Sequence, residues 1–169
     1  MAGKANAQVS FEIQGHSSFA LEELSRLADG TGVGGLVTVS YPVVETGMVN
    51  IIGKVGFNQY GTKSDEVLIE GDIVIPIDSV YQGIPIAAGI RMYYHQNRLF
   101  YVDGVLGLEI KRGDLDYIDL KDETFTLDPV FSIGGGFRVV PAIAIVASFS
   151  MSNDLWRYAN LGISYRFGE

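Results

Sequence analysis

Residues 100–110 run Phe100-Tyr101-Val102-Asp103-Gly104-Val105-Leu106-Gly107-Leu108-Glu109-Ile110, with an apolar or small residue at every even position. The odd positions include the charged or small residues Asp103, Gly107 and Glu109. Alternation with a period of two is typical of a β-strand with one apolar face. It occurs in eight segments, which are 9–13, 37–43, 49–57, 86–94, 100–110, 131–139, 143–151 and 161–167. The sequence therefore predicts an all-β protein with eight strands.

The composition excludes several classes of protein. A chain of 169 residues with 47% hydrophobic and 19% charged residues has room for one domain and is too apolar to be disordered. The absence of cysteine excludes disulfide scaffolds, thiolate zinc sites and cysteine nucleophiles. The net charge of −8 argues against a nucleic-acid partner. The longest nearly unbroken apolar run, Val139–Ala147, is too short for a membrane-spanning helix.

The connections between the predicted strands alternate in length. They are short after the second, fourth and sixth strands, and long in 15–34, 61–80 and 111–124. Short turns at one end and long loops at the other are typical of an antiparallel up-and-down transmembrane barrel. Helical spacing in the first long loop predicts a short helix, marked by Leu21, Leu24, Leu27 and Ala28, with Gly30 as its C-terminal stop.

Side-chain volume decides which face of the barrel points outward. The interior of an eight-stranded barrel is only wide enough to be filled by side chains, so the bulky apolar face must lie outside. All strand charges of the eight segments and their immediate ends then fall inside, as four acids and four bases. This predicted lumen charge network consists of Glu12, Lys54, Arg91, Asp103, Glu109, Asp128, Arg138 and Arg166. Two interpretations stay open, a closed core of ion pairs and a gate on a narrow water path.

Aromatic residues are concentrated at the end of the barrel that has the short turns. This distribution predicts an interfacial girdle, as found in membrane barrels. Its members would be Tyr41, Tyr93, Tyr94, Phe100, Tyr101, Phe137, Tyr165 and Phe167.

Three stretches carry a resemblance to a known family. The last strand, 160–167, has alternating apolar residues and a near-terminal Phe167, although Gly168 and Glu169 follow it. Together with 84–94 and 100–108, it resembles the small outer-membrane β-barrels of the OmpA-like and OmpX-like type. The resemblance implies a bacterial outer membrane of the Gram-negative type, contact with its lipids, and a final strand read by the barrel-assembly machinery through Tyr165 and Phe167.

The resemblance covers most of the chain and leaves a short segment before it. Ala5-Asn6-Ala7 has the form of a signal-peptidase site, so residues 1–7 are predicted to be the remnant of an export signal. Residues 8–169 are predicted to form the barrel domain.

The second long connection is unusually apolar. Residues 66–70 and 72–77 flank Gly71 like the two strands of a hairpin. Three interpretations stay open: a surface for a protein or lipid partner, a further pair of barrel strands that makes ten, and a cover over the barrel mouth. The partner segment would use Val67, Leu68, Ile69, Ile73, Val74, Ile75 and Ile77.

The remaining polar residues do not predict catalysis. The acidic residues of 114–123 lack the spacing and the glycine of an EF-hand loop, so no metal site or cofactor is predicted. His16 and His95 fall at opposite ends of the barrel, which leaves no catalytic triad. The leading hypothesis is a non-enzymatic structural or surface-interaction protein. The alternatives are a narrow, porin-like channel or small-solute transporter and, third, a lipid-modifying hydrolase.

Overall fold

The computed structural model describes residues 9–21, 24, 30–44, 46–60, 65–69, 73–117, 120–152 and 157–167, of which 65–69, 73–80, 113–117 and 120–124 are described by their backbone. Nearly all of this part of the chain is β-strand. The strands are β1 (Ser10–Leu21), β2 (Thr31–Pro42), β3 (Val49–Tyr60), β4 (Asp65–Ile69), β5 (Ile73–Tyr93), β6 (Phe100–Tyr117), β7 (Leu120–Val140), β8 (Ile143–Met151) and β9 (Arg157–Phe167).

Eight of these strands close into a ring in which every neighbouring pair is antiparallel. The order β3-β2-β1-β9-β8-β7-β6-β5 is completed by pairing of β3 with β5, and β1 pairs with the last strand from Phe11↔Phe167 to Leu21↔Arg157. The short strand β4 lies outside the ring and pairs with the start of β5. The predicted eight-stranded up-and-down barrel is therefore confirmed.

Side chains alternate between the two sides of this ring as the pattern predicted. Phe11, Ile51, Leu106 and Ile145 lie on the outer surface, and Leu106 is 68% exposed. Inward positions alternate with them and hold mostly small, polar and charged residues, together with a few aliphatic ones such as Ile52, Val105 and Val130. The outer positions form an apolar belt. Within the described residues, no helix is long and apolar enough to cross a membrane.

The strands are longer than predicted at the end opposite the short turns. Residues 111–117 and 120–124, predicted to be a loop, continue the β6–β7 pairing as far as Tyr117↔Leu120. The predicted loop 15–34 is likewise wrong in length, because β1 and β2 pair out to Phe19↔Thr31. The backbone pairing continues past the apolar belt into stretches where apolar and polar residues no longer alternate. The sequence pattern therefore ended before the strands did.

The predicted hairpin in the second long connection is present in the backbone. Strand β4 pairs with the start of β5 from Asp65↔Ile77 to Ile69↔Ile73. Because β5 then runs without interruption into the barrel to Tyr93, the hairpin extends a barrel strand and adds no strand to the ring. The ten-stranded alternative is therefore wrong.

Two further predictions fall mostly outside the described residues. In the first connection, Leu21 ends β1 and Leu24 is helical and fully buried, whereas Leu27 and Ala28 lie outside the described part. The short helix stays a prediction. Residues 1–7 lie outside it as well, so the export-signal remnant also stays a prediction.

The predicted aromatic girdle is wrong for two of its eight members. Tyr93 and Tyr101 are each 4% exposed and point into the lumen. Their odd positions share the inward direction of Arg91 and Asp103 in the same strands, which is the physical reason for the correction. The other six, which are Tyr41, Tyr94, Phe100, Phe137, Tyr165 and Phe167, are on the outside.

We expect a charge on the apolar belt to destabilise the barrel in a bilayer. Leu106→Arg places a guanidinium near the middle of the belt and should lower the free energy of unfolding by about 2–4 kcal/mol. The measurement is urea unfolding in phospholipid vesicles. Gln96→Arg, in the exposed turn between β5 and β6, is the control and should change it by less than about 0.5 kcal/mol. Equal effects of the two variants would contradict the outward orientation of Leu106.

Candidate functional site

Inward-facing charges form a contiguous network close to the short turns, which we call the turn-end cluster (Glu12, Lys54, Arg91, Asp103 and Arg138). Arg91 is at its centre and is 2% exposed. Its Nε and Nη2 donate to the two carboxylate oxygens of Asp103 at 2.7 and 2.9 Å, while its Nη1 donates to both oxygens of Glu12 at 2.6 and 2.7 Å. One guanidinium on β5 therefore joins a carboxylate on β6 to one across the bore on β1.

Two further bases complete the turn-end cluster. The Nζ of Lys54 lies 2.8 Å from Asp103 Oδ2, and Arg138 Nη2 donates to Glu12 Oε1 at 3.0 Å. Arg138 also donates from Nη1 to the carbonyl oxygen of Pro141 at 2.8 Å, which ties the cluster to the turn between β7 and β8. The cluster thus links five barrel strands, β1, β3, β5, β6 and β7.

Aromatic rings pack around these guanidinium groups. The Cζ atom of Arg91 lies 3.9 Å from the centroid of the Tyr101 ring, and the Tyr93 hydroxyl accepts a hydrogen bond from Arg138 Nη2 at 3.2 Å. The Tyr101 ring lies against Gly136, where a Cβ atom would occupy the space of the ring. Met48, in the turn between β2 and β3, packs against Tyr93, Tyr101, Ala144 and Val146. The end of the lumen is therefore filled by ring and aliphatic groups as well as by ions.

A second group of polar side chains lies at the other end of the lumen, and we call it the loop-end cluster (Tyr60, Glu109, Lys111, Asp128 and Tyr158). Lys111 Nζ donates to Asp128 Oδ2 at 2.9 Å and to the carbonyl oxygen of Ser152 at 3.2 Å. The hydroxyl of Tyr158 donates to Glu109 Oε1 at 3.0 Å. These contacts connect β6 with β7, β9 and the residue that follows β8.

The two tyrosine rings of the loop-end cluster form an apolar contact. The rings of Tyr60 and Tyr158 meet edge to face with centroids 6.1 Å apart, and they pack with Ala20 and Leu24. All four residues are buried, and Leu24 comes from the connection that follows β1. Side chains from the wall and from a connecting segment therefore fill this end of the bore together.

Between the two clusters lies a cavity of about 50 Å³ with mixed polar and apolar walls. Lys54 and Asp103 face it from the turn end, and Tyr158 faces it from the loop end. Its wall also includes His16, Asn58 and Asn160. His16 Nε2 donates to Asn58 Oδ1 at 2.7 Å, and Asn160 Oδ1 accepts a hydrogen bond from Ser18 Oγ at 2.7 Å. The cavity is large enough for a few water molecules.

The histidines are not in a catalytic arrangement in the described part of the chain. His16 is held by amide groups, since Gln14 Nε2 donates to its Nδ1 at 3.2 Å while its Nε2 donates to Asn58. His95 lies in an exposed turn at the opposite end of the barrel. Neither ring forms a hydrogen bond with a serine within the described residues, which also hold no group of three or more potential metal ligands.

The structure divides the eight residues of the predicted network between the two ends of the lumen. Five form the turn-end cluster, Glu109 and Asp128 lie in the loop-end cluster, and Arg166 points inward beside Glu12, its cross-strand partner. Sequence reasoning missed Lys111, which was assigned to a loop. The signal was present, because Lys111 continues the inward alternation of Glu109. With it, the inward charges among the described side chains are five bases and four acids and do not sum to zero.

Among the described side chains, two outward positions at the loop end are also charged. Arg112 and Arg157 alternate outward beyond the segments in which the pattern had been recognised, and the Arg112 guanidinium lies 5.7 Å from the centre of the Phe125 ring. The expectation that no strand charge lies outside therefore holds only for the shorter predicted strands. Both residues are at the margin of the apolar belt, where long basic side chains reach the interface.

The other predicted site residues are only partly described. The side chains of the partner segment (Val67, Leu68, Ile69, Ile73, Val74, Ile75 and Ile77) lie outside the described part of the chain. Tyr165 and Phe167 are on the outer surface, with ring centroids 4.8 Å apart. Their role as an assembly signal stays a prediction.

The comparisons with known proteins identify the fold. No protein-family model and no curated protein matches the chain. Among solved structures, Ail, the attachment invasion locus protein of Yersinia pestis, has a TM-score of 0.69 and 19% identity, covering 95% of this chain and 99% of its own. Ail has also been solved in complex with the heparin analogue sucrose octasulfate.

Two other solved structures have the same architecture. Neisserial surface protein A has a TM-score of 0.53 and 12% identity, covering 94% of this chain and 95% of its own. The N-terminal β-barrel domain of Pseudomonas aeruginosa OprF has a TM-score of 0.52 and 11% identity, covering 96% of this chain and 100% of its own. The chain therefore has the fold of the small eight-stranded outer-membrane β-barrels, as the sequence resemblance predicted.

We expect the two bases bound to Asp103 to differ in their contribution to stability. Arg91→Met leaves two buried carboxylates without their main partner and should lower the free energy of unfolding by about 3–5 kcal/mol. Lys54→Met should cost less, because Asp103 keeps both hydrogen bonds from Arg91. Denaturant unfolding of the refolded protein in detergent micelles measures both. A cost for Lys54→Met equal to that for Arg91→Met would contradict the central position of Arg91.

Proposed function

We propose that this protein is a barrel of the bacterial outer membrane of the Gram-negative type, with a closed lumen and a non-catalytic role in surface interaction or membrane structure. The observation that carries the proposal is the continuous apolar belt on the outside of a closed ring of strands. A closed ring satisfies the backbone donors and acceptors within the barrel, which lipid requires because it offers none. The lipids of that membrane are then the first partner.

The surface role is supported by the part of the sheet that extends past the belt. The start of β5, residues 73–77, pairs with β4, and β5 pairs with β6 from Asp78↔Asp116 onward. Strand β7 pairs with β8 only from Phe131, so that residues 120–130 extend beyond β8. Strands β5, β6 and β7 thus stay paired past the end of β8, and β4 pairs with the residues of β5 that lie beyond them. We assign the partner contact to the apolar hairpin, residues 66–77.

The charge of the chain restricts the partner. Of its twelve bases and twenty acids, five bases and four acids point into the lumen in the described part of the chain, and seven bases and sixteen acids remain in the rest of the sequence. An excess of acids repels polyanions and favours partners with apolar or cationic surfaces. We therefore do not extend to this chain the ligand bound to Ail, a sulfated sugar.

Biogenesis forms part of the same proposal. The outward pair Tyr165 and Phe167 in the final strand would be read by the barrel-assembly machinery, and residues 1–7 would be what remains of the export signal. The second candidate function is a narrow channel, favoured by the cavity between the two clusters. The lipid-hydrolase alternative has no supporting observation in the described residues.

The membrane assignment predicts behaviour on refolding. Protein refolded into phospholipid vesicles should float with them in a density gradient and should migrate faster on gel electrophoresis before heating than after it. The physical reason is that a closed, hydrogen-bonded ring resists detergent until heat opens it. A chain that stays monodisperse in buffer without detergent would contradict the proposal.

The excess of acids predicts no binding of sulfated sugars. In titration calorimetry at low salt, sucrose octasulfate should give no saturable signal with the refolded barrel, because its negative charges meet a surface of the same sign. Ail under the same conditions is the positive control. Saturable binding would contradict our exclusion of polyanionic partners.

The surface role predicts an effect of the hairpin on attachment. Replacing 66–77 by a Gly-Ser linker should reduce the attachment of bacteria that display the protein to an apolar surface such as polystyrene, because the apolar contact area is lost. A second variant replaces Val67, Ile69, Ile73 and Ile75 by Thr, which removes the apolar side chains and keeps the strand propensity. It should reduce attachment to the same extent. Unchanged attachment in both variants, at equal surface expression, would contradict the assignment.

A further inference from the structure

The two clusters occupy separate levels of the same bore. Lys54, Tyr101 and Asp103 border the cavity from the turn end, whereas His16 and Tyr158 border it from the loop end. The cavity of about 50 Å³ separates the levels and has room for a few water molecules. Each cluster is built from its own residues, so that one can be changed while the other is kept.

Each cluster also reaches across the bore. At the turn end, Glu12 on β1 is bound by Arg91 from β5 and by Arg138 from β7. At the loop end, Tyr158 on β9 contacts Glu109 on β6 and the ring of Tyr60 on β3. An ion that moves along the axis would have to displace buried side chains at both levels, and at each level it would break contacts that offset the cost of desolvation.

We propose that the lumen contains two barriers in series, separated by a hydrated chamber, so that ions cross the barrel only when both barriers are removed. The proposal deepens the closed lumen of the proposed function and rests on insertion of the barrel into a membrane. The narrow-channel alternative then requires that both barriers open, because opening of one end only fills the chamber from that side and produces no current.

The first test is conductance through planar phospholipid bilayers. The turn-end variant carries Arg91→Ser and Asp103→Ser, which removes both members of the bidentate pair. Glu12 keeps its bond from Arg138, whereas Lys54 loses the carboxylate of Asp103. The loop-end variant carries Tyr60→Ser and Tyr158→Ser. Each double variant should stay at the baseline of the wild type, and the combined fourfold variant should give discrete current steps. Current steps from either double variant, or none from a folded fourfold variant, would overturn the proposal.

The second test uses cysteine reactivity and needs only the double variants. The chain has no cysteine, so Ser148→Cys, in the wall of the chamber, gives a single reporter. In the otherwise native chain in micelles it should react slowly with a small charged methanethiosulfonate. Either double variant should accelerate the reaction about tenfold or more, since one open end admits the reagent; that ratio corresponds to about 1.4 kcal/mol of lost protection.

Thr46→Cys, in an exposed turn, is the control and should react at the same rate in every background. Reaction of Ser148→Cys at the control rate in the otherwise native chain would overturn the proposal. Heat-dependent migration and vesicle flotation distinguish a failure of membrane insertion from a failure of the two barriers to act in series. A wild type that fails both contradicts the membrane function, whereas an inserted barrel that conducts with one barrier removed contradicts only the series arrangement.

Discussion

A side chain in this barrel has only two directions, outward to the surroundings or inward to a narrow bore, and its parity in the strand decides between them. The outer positions must be apolar if the surroundings are lipid, because a basic residue there costs about 2–4 kcal/mol at the midplane. Charged residues within the belt therefore go inside. There they lose most of their water, and pairing becomes necessary.

The turn-end cluster shows how this requirement is met. Arg91 has no room for hydration, and it donates to two carboxylates on two strands. The planar guanidinium suits this position, because it forms two parallel bonds to Asp103 and still presents a face to the Tyr101 ring. Small inward residues such as Gly136 give the ring its space. Ion pairing and the use of glycine are thus two consequences of one narrow bore.

Sequence reasoning was sufficient where the alternation is unbroken and insufficient where it ends. The eight barrel strands and the inward direction of Arg91 follow from a period of two. The outer ends of β6 and β7 do not, because the residue types of 111–124 are mostly polar and no longer alternate, although the backbone pairing continues. Lys111 was missed for that reason. Tyr93 and Tyr101 were misplaced because aromatic composition was given more weight than their odd positions.

The sequence alone did not predict which inward charges pair with one another. Glu12 and Arg138 are 126 residues apart in the chain and meet only because β1 and β7 face each other across the bore. The division into two clusters with a cavity between them depends on the stagger of the strands, which the alternation does not encode. The alternation fixes which residues face the bore but not which of them meet.

The in-out alternation can be measured directly in a bilayer. Single cysteines at Val130, Phe131, Ser132 and Ile133 in β7, each labelled with an environment-sensitive fluorophore, would report contact with quenchers attached to lipid chains. The structure predicts strong quenching at 131 and 133 and weak quenching at 130 and 132. Equal quenching at all four positions, or the reverse pattern, would contradict the arrangement of an apolar exterior around a charged lumen.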